Sequence, residues 1–295
     1  MRKLWEEHFL NLAQEVASMG TCIRRQVGCI LVDVHRRISA TGFNGPPPGW
    51  PHCNEGYPCP GATAASGQSL DLCYSNHSEI NALTQCKDPW QLESAHTTCS
   101  PCISCVKALL CTSIRRVIFI EKYPHKESEL LWTADGKRSW IWFHDVQRFM
   151  GKVKVEGDCW IWQGKKNPDG YGIFTVGRKF VAAHRYSFYV FTHPPGPLQV
   201  RHFCDTPSCV NPRHLLEGTA IDNAQDCVAR GRKGQLGTTK PSAAGTRNHN
   251  SKFSQENVAQ IKALLPTKNN CQIAKQFGVT PAVIWKIRNG ETYKD

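Results

Sequence analysis

No stretch of this 295-residue sequence approaches the ~18–20 consecutive apolar residues that a membrane span requires. The N-terminal run MRKLWEEHFLNLAQEVAS also lacks a signal-peptide core, because charged residues interrupt its apolar ones. Both absences lead to the expectation of a cytoplasmic protein with no membrane partner. No internal repeat of fixed period is visible. Acidic residues are scarce in the second half: residues 143–295 carry 22 Lys+Arg against 11 Asp+Glu, whereas residues 1–142 carry 14 against 13. Nearly all of the net charge of +12 therefore sits in the second half. A small-molecule enzyme has no need of such an excess. A polyanion-binding module does, since each phosphate contact takes a cation.

Hydrophobic residues make up 40% and charged residues 20%, which describes a globular chain, and the length suits two or three units. Fifteen cysteines in a cytosolic chain read as metal ligands more readily than as disulfides. Their number is odd, and several sit in CxxC-like spacings beside histidines.

Residues 1–142 alternate helical and strand-like patterns. Leu4, Trp5, Phe9, Leu12, Ala13 and Val16 recur at helical spacing, QVGCILVD and RRISATGFN suit a hairpin, and RRVIFIEK suits a buried strand. EINALTQC and PCISCVKALL read as short helices, so this part is expected to be an α/β sandwich. Residues 143–235 are rich in Trp, His, Cys and Gly, with short strands such as GYGIFTV and little helix expected. Residues 236–250 have linker composition. Residues 251–295 return to helix.

The strongest local pattern is His77-Ser78-Glu79 followed by Pro101-Cys102-Ile103-Ser104-Cys105. A catalytic zinc takes three protein ligands and keeps one open position. His77, Cys102 and Cys105 supply the three, with the cysteines on one face of a helix start, where the dipole favours thiolate. Zinc lowers the pKa of a bound water to about 7. Glu79 is then placed to shuttle a proton. The alternative, a structural zinc knuckle, normally shows a fourth ligand and gives no reason for the carboxylate.

These residues match the zinc deaminase signature H-x-E…P-C-x-x-C. Together with GFNGPPPG and CYSNHSEINAL, they resemble the deoxycytidylate (dCMP) deaminases of the cytidine deaminase-like superfamily, over about residues 1–142. The resemblance implies a five-stranded α/β/α sandwich, deamination of dCMP to dUMP, an oligomeric assembly and Asn44 as a substrate contact. Ser78 stands where the family usually has alanine; its side chain is expected to point away from the ligands. Lys87 is the candidate for the substrate phosphate. Cys22, Cys53 and Cys73 match positions that bind a second zinc in some members, and Cys59 is a candidate fourth ligand. Buried free thiols are the alternative for these.

In residues 143–235, Cys204, Cys209 and His214 are spaced to fold around one metal, and Cys159 can close a Cys3His structural zinc site. The string RHFCDTPSCVNPRHL resembles the zinc-loop HNH endonucleases, with a ββα-metal fold, over about 147–232. That resemblance implies His202 as general base and Asn223 as holder of Mg2+ against the scissile phosphate of double-stranded DNA. A second nuclease zinc is not evident, since only Cys227 remains in the expected region. His184 reads as structural or DNA-contacting. A zinc-stabilised DNA-binding fold that no longer cuts is the alternative.

In residues 251–295, Ser254 is expected to cap a helix, and CQIAKQFG ends at a glycine turn. Thr280 and Pro281 begin AVIWKIRNG. This is a helix-turn-helix pattern with Lys286, Arg288 and Asn289 as DNA contacts, and with Trp285 and Ile287 packing inward. The overall expectation is a deaminase fused to an HNH nuclease with a DNA-targeting tail, of phage or mobile-element type. A deaminase acting on cytosine in single-stranded nucleic acid is the second reading.

Overall fold

The computed structural model describes residues 3–65, 68, 72–123, 126–231 and 253–293. The chain divides into two compact units, Met1–Thr219 and Ala220–Asp295. The expected linker at 236–250 lies outside the described residues.

The first unit is built on a five-stranded sheet. Helix α1 (Trp5–Ala17) precedes a hairpin of β1 (Gly28–Asp33) and β2 (Ile38–Phe43). Then come α2 (Ser78–Gln85), β3 (Leu92–Cys99), α3 (Ile103–Leu110), β4 (Arg116–Glu121), α4 (Lys126–Thr133) and β5 (Ser139–Trp142). The strand order is β2-β1-β3-β4-β5. β1 pairs antiparallel with β2 and β3, while β3–β4 and β4–β5 are parallel. Each parallel step needs a crossover, and α3 and α4 supply them.

Alternate residues of the strands serve opposite faces. On one face Leu31, Ala95, Val117 and Phe119 pack with Ala82, Val106, Leu109 and Trp132 from the helices. On the other, Ile30 and Val32 meet Phe9 and Ala13 of α1. Helices on both faces make this the expected α/β/α sandwich. Gly42 sets how closely α2 approaches β2: a Cβ there would lie 2.2 Å from the Ser78 carbonyl oxygen and 2.4 Å from the Ala82 nitrogen. Only glycine permits that approach.

The residues after 142 continue the same unit. Helix α5 (Phe143–Met150) follows β5 directly. Its Phe143, Val146 and Phe149 share one core with Leu10, Ile118 and Ile141 of the sandwich. Three two-stranded hairpins follow, β6 (Val153–Glu156) with β7 (Cys159–Trp162), β8 (Ile173–Val176) with β9 (Lys179–Ala182), and β10 (Gln199–His202) with β11 (Leu215–Gly218). Between the last two lies α6 (Ala183–Phe191). The expected boundary after residue 142 thus falls inside a continuous core, and the segment holds more helix than its composition suggests. AHRYSFYVF is rich in strand-favouring aromatics. Yet Ala183, Tyr186 and Val190 fall on one helical face and join the Phe149 core.

The second unit contains α7 (Ala220–Ala229), α8 (Gln255–Leu264), α9 (Asn270–Gln276) and α10 (Pro281–Arg288). Phe253, Val258, Ile261, Ile273, Ala274, Ile284 and Ile287 form the core around which α8–α10 pack. Ser254 caps α8, accepting from the Asn257 N–H at 3.2 Å. Gly278 supplies the left-handed turn between α9 and α10 at φ +67°. Thr280 makes no side-chain cap bond. Trp285, expected to pack inward, is 48% exposed, because Ile284 and Ile287 take the buried positions of α10. No helix among the described residues is long and apolar enough to cross a membrane.

Candidate active site

Two helix starts converge on one point. His77 is the residue before α2 and Cys102 the residue before α3, each in extended conformation. Cys105 lies one turn into α3 and is buried. The His77 Nδ1 is 3.3 Å from the Cys102 Sγ and 3.3 Å from the Cys105 Sγ. One imidazole nitrogen and two sulfurs at such separations fit a tetrahedral zinc with ligand bonds of ~2.0–2.3 Å and a fourth position left over. The Cys105 hydrogen bond and the His77 imidazole, working against burial, hold the Cys102 thiol down to about 3. A thiolate is therefore favoured where a cation is to bind.

Glu79 sits in the first turn of α2, 4% exposed. Its Oε2 accepts from the Ser78 Oγ at 3.1 Å and from the Cys105 Sγ at 3.4 Å. Burial lifts its carboxyl above the usual range, opposed by the His77 charge. The Ser78 hydroxyl thus turns toward the acid, with both residues buried in the first turn of α2.

These groups line a cavity of about 440 Å³, with Asn44, Arg24, Arg25, Ser100 and Tyr123 also in its wall. The Asn44 Oδ1 accepts from the Val27 N–H at 2.7 Å, and its Nδ2 donates to the Arg25 carbonyl at 2.6 Å. An amide carries two N–H donors, so one is left over for a bound ligand. Arg24 donates to the carbonyls of Gly61, Ala65 and Gln68, the nearest at 2.6 Å. Arg25 donates to the Cys99 Sγ at 2.8 Å and pairs with Glu121 at 3.4 Å. Lys87 is exposed and takes no part in this wall. The two arginines went unrecognised in the sequence because CIRRQVG resembles a solvated charge pair; their place just before β1, opposite Asn44, is the signal that could have found them.

Cys53, Cys59 and Cys73 share a small cluster, and Cys22 is buried in the wall of the Glu79 cavity, which Cys73 also lines. Among the described residues, two groups bring three or more ligand atoms within 4.8 Å of one another, and the Cys22, Cys53 and Cys73 set is not one of them. One is His77, Cys102 and Cys105; the other is Cys159, Cys204, Cys209 and His214. In the second, the His214 Nδ1 lies 3.5 Å from the Cys159 Sγ and 3.6 Å from the Cys209 Sγ. Cys159 opens β7, Cys204 and Cys209 lie in the β10–β11 loop, and Asn211 braces the His214 turn by donating to the Asp158 carbonyl at 2.6 Å. The donor set fits a closed structural zinc site.

His202 ends β10, buried, with its Nε2 2.7 Å from the Cys209 carbonyl oxygen. Its ring packs against His184 at 5.0 Å and Tyr171 at 5.8 Å. Asn223 lies on α7 in the second unit and is exposed. Lys286 is exposed on α10. Arg288 is tied to Asn270 at 2.7 Å and to the Lys268 carbonyl at 2.9 Å, and Asn289 caps the helix end.

Comparison with known proteins bears on the first of these sites. The family described as cytidine and deoxycytidylate deaminase zinc-binding region matches residues 3–121. The deoxycytidylate deaminase of Schizosaccharomyces pombe is 36% identical over 41% of this chain and 38% of its own length. That of Mycobacterium phage D29 is 32% identical over 39% of this chain and 93% of its own length. The dCMP deaminase of cyanophage S-TIM5, solved with dCMP and dUMP, aligns at 21% identity and TM-score 0.38 over 48% of this chain and 99% of that one. The chain belongs to the cytidine and deoxycytidylate deaminase family. It spans less than half the length of the yeast relative.

Proposed function

We propose that the first unit deaminates dCMP to dUMP hydrolytically. The observation that carries this reading is the buried Glu79 carboxyl beside three converging zinc-type ligands, at the wall of a cavity that also holds Asn44 and two arginines. Zinc held by His77, Cys102 and Cys105 supplies a Lewis acid that brings water to ionise near pH 7. Glu79 takes one proton from the attacking water and gives it to the ring nitrogen, then moves the proton of the hydroxyl added at carbon 4 to the departing amine. Water oxygen bonds to carbon 4, ammonia leaves, and uracil remains. Asn44 orients the base through its remaining N–H. Arg25, in the same wall, is assigned as the counter-charge for the 5′-phosphate in place of Lys87, giving up its Glu121 partner to it. Purified protein is expected to release ammonia from dCMP. Glu79→Ala is expected to abolish turnover while keeping its zinc, and unchanged turnover refutes the assignment. Preference for a cytosine-containing oligonucleotide over dCMP would favour the single-strand reading.

We further propose a DNA-directed role for residues 143–295, with a Cys3His zinc and an HNH nuclease centre. The supporting observation is the His202–Cys209 contact: a carbonyl acceptor places the imidazole proton on Nε2 and leaves the lone pair on Nδ1, the tautomer a general base needs. Asn223 is the residue assigned to Mg2+, and α8–α10 are assigned to duplex binding through Lys286, Arg288 and Asn289. Mg2+-dependent nicking of duplex DNA that survives His202→Ala shows the base to be another residue. Binding without nicking leaves the fold a DNA-docking module.

A further inference from the structure

A second cavity, of about 1000 Å³, opens in the first unit where the sheet meets the segment after residue 142. Ser100 and Tyr123 line both this cavity and the one containing Glu79, so the two share a wall. The Tyr123 N–H donates to the Ser100 Oγ at 2.7 Å, which makes that shared wall a fixed element.

The lining has two chemistries. Trp140 and Trp142 of β5 and Tyr186 of α6 contribute aromatic surface. Lys122, Lys126, Lys179 and Arg185 contribute four cations against two acids, Glu129 and Asp145. Asp145 is already bound to Arg148 at 2.5 Å. Arg185 is held at the wall by the carbonyls of Leu198 and Gly196, at 2.6 and 3.0 Å. These acceptors fix the guanidinium without neutralising it. The Lys122 ammonium lies 3.8 Å from the centre of the Trp142 ring, so cation and π face coincide on the wall.

An apolar ligand would leave Lys126, Lys179 and Arg185 unmatched, and a simple anion would leave the rest of the aromatic wall unused. A planar base carrying phosphate satisfies both, since bases stack on aromatic side chains and phosphates take Lys and Arg. The volume is of the order that small ligands occupy. We propose that this cavity binds a nucleoside phosphate, with the base on the Trp140/Trp142 surface and the phosphate among Lys126, Lys179 and Arg185. The nucleotide is either free or the neighbour, in a strand passing Ser100 and Tyr123, of the one seated beside Glu79.

Calorimetric titration of the zinc-loaded full chain with dGMP and with the trinucleotide d(GCG) tests this, because binding is read without turnover and is independent of whether dCMP is deaminated. For a free nucleotide, dGMP binds and Lys126→Glu/Lys179→Glu weakens it about tenfold or more, with dCMP affinity changed less than about twofold. For a strand, dGMP is silent, while d(GCG) binds about tenfold tighter than dCMP and loses that advantage in the variant. Should the double variant misfold by circular dichroism, the exposed truncation Lys179→Ala carries the same expectation at about threefold. No binding of dGMP together with no gain of d(GCG) over dCMP, or binding that these variants leave unchanged, overturns the proposal.

Discussion

The Ser78 hydroxyl donates to Oε2 of Glu79 across 3.1 Å, with both residues buried in the first turn of α2. A hydrogen bond to a carboxylate favours its charged form, whereas burial disfavours it. Burial is the larger effect on Glu79 and raises its pKa. In the proposed reaction, proton abstraction from water needs the carboxylate, so activity is expected to be lost as pH falls through that raised value. Ser78→Ala removes a support of the charged form. Its acid limb in kcat/KM is expected to move to higher pH by up to about one unit, with the plateau within about tenfold of the parent. A pH–rate profile with an unmoved limb shows that the hydroxyl does not bear on the acid.

Asn44 does two things at once. Its amide bridges the Val27 N–H and the Arg25 carbonyl, and it faces the cavity. Asn44→Ala leaves both backbone groups without that partner, a cost of about 1–3 kcal/mol for each buried group not rescued by water. A lower urea midpoint is expected together with a fall in kcat/KM for dCMP. Loss of activity at an unchanged midpoint would mean that the bridge contributes nothing to folding.

Much of the candidate site was legible because its residues are close in sequence and carry unusual chemistry. His77, Glu79, Cys102 and Cys105 declare themselves by spacing, and Cys159, Cys204, Cys209 and His214 do so nearly as clearly. The hairpin β1–β2, the strand β4 and the helices α2 and α3 follow from apolar periodicity. The central strand β3 was not recognised on its own residues. LESAHTTC contains Ser94, His96 and Thr97, all buried, so its polarity masks a core position. The cavity wall was equally hidden: Arg25 and Tyr123 are brought together by the fold, and no local pattern announces it.

The shared core across residue 142 is the largest departure from the expected organisation, and it has a measurable consequence. Phe149 is fully buried, 5.0 Å from the Trp162 ring and in one cluster with Ile118 and Ile141 of the sheet. Phe149→Ala is expected to cost about 3–5 kcal/mol through lost transfer energy and a cavity. Because the core is continuous, dCMP turnover and the fold of 143–219 are expected to be lost together on heating or in urea. Two transitions, with deaminase activity surviving the first unchanged, would show that the sandwich stands without α5.

Acidification gives a further test, through His184. Burial, with lesser help from the His202 and Arg185 charges, holds this imidazole down to about 3, and its Nδ1 has no hydrogen-bond partner. In the unfolded chain it titrates near ~6.5. Between those values the unfolded chain binds a proton that the folded chain refuses, so lowering the pH favours unfolding. The stabilising contribution is complete above ~6.5 and disappears as pH falls toward 3. From pH 7 to pH 5 it amounts to about 2 kcal/mol. His96 acts in the same direction, being fully buried and held well below its usual value by burial and by Arg116. Urea midpoints measured between pH 5 and 7 are expected to fall with pH in the parent, and to fall about half as steeply in His184→Leu. Equal slopes in the two proteins would mean that His184 is solvated, or protonated, in the folded chain.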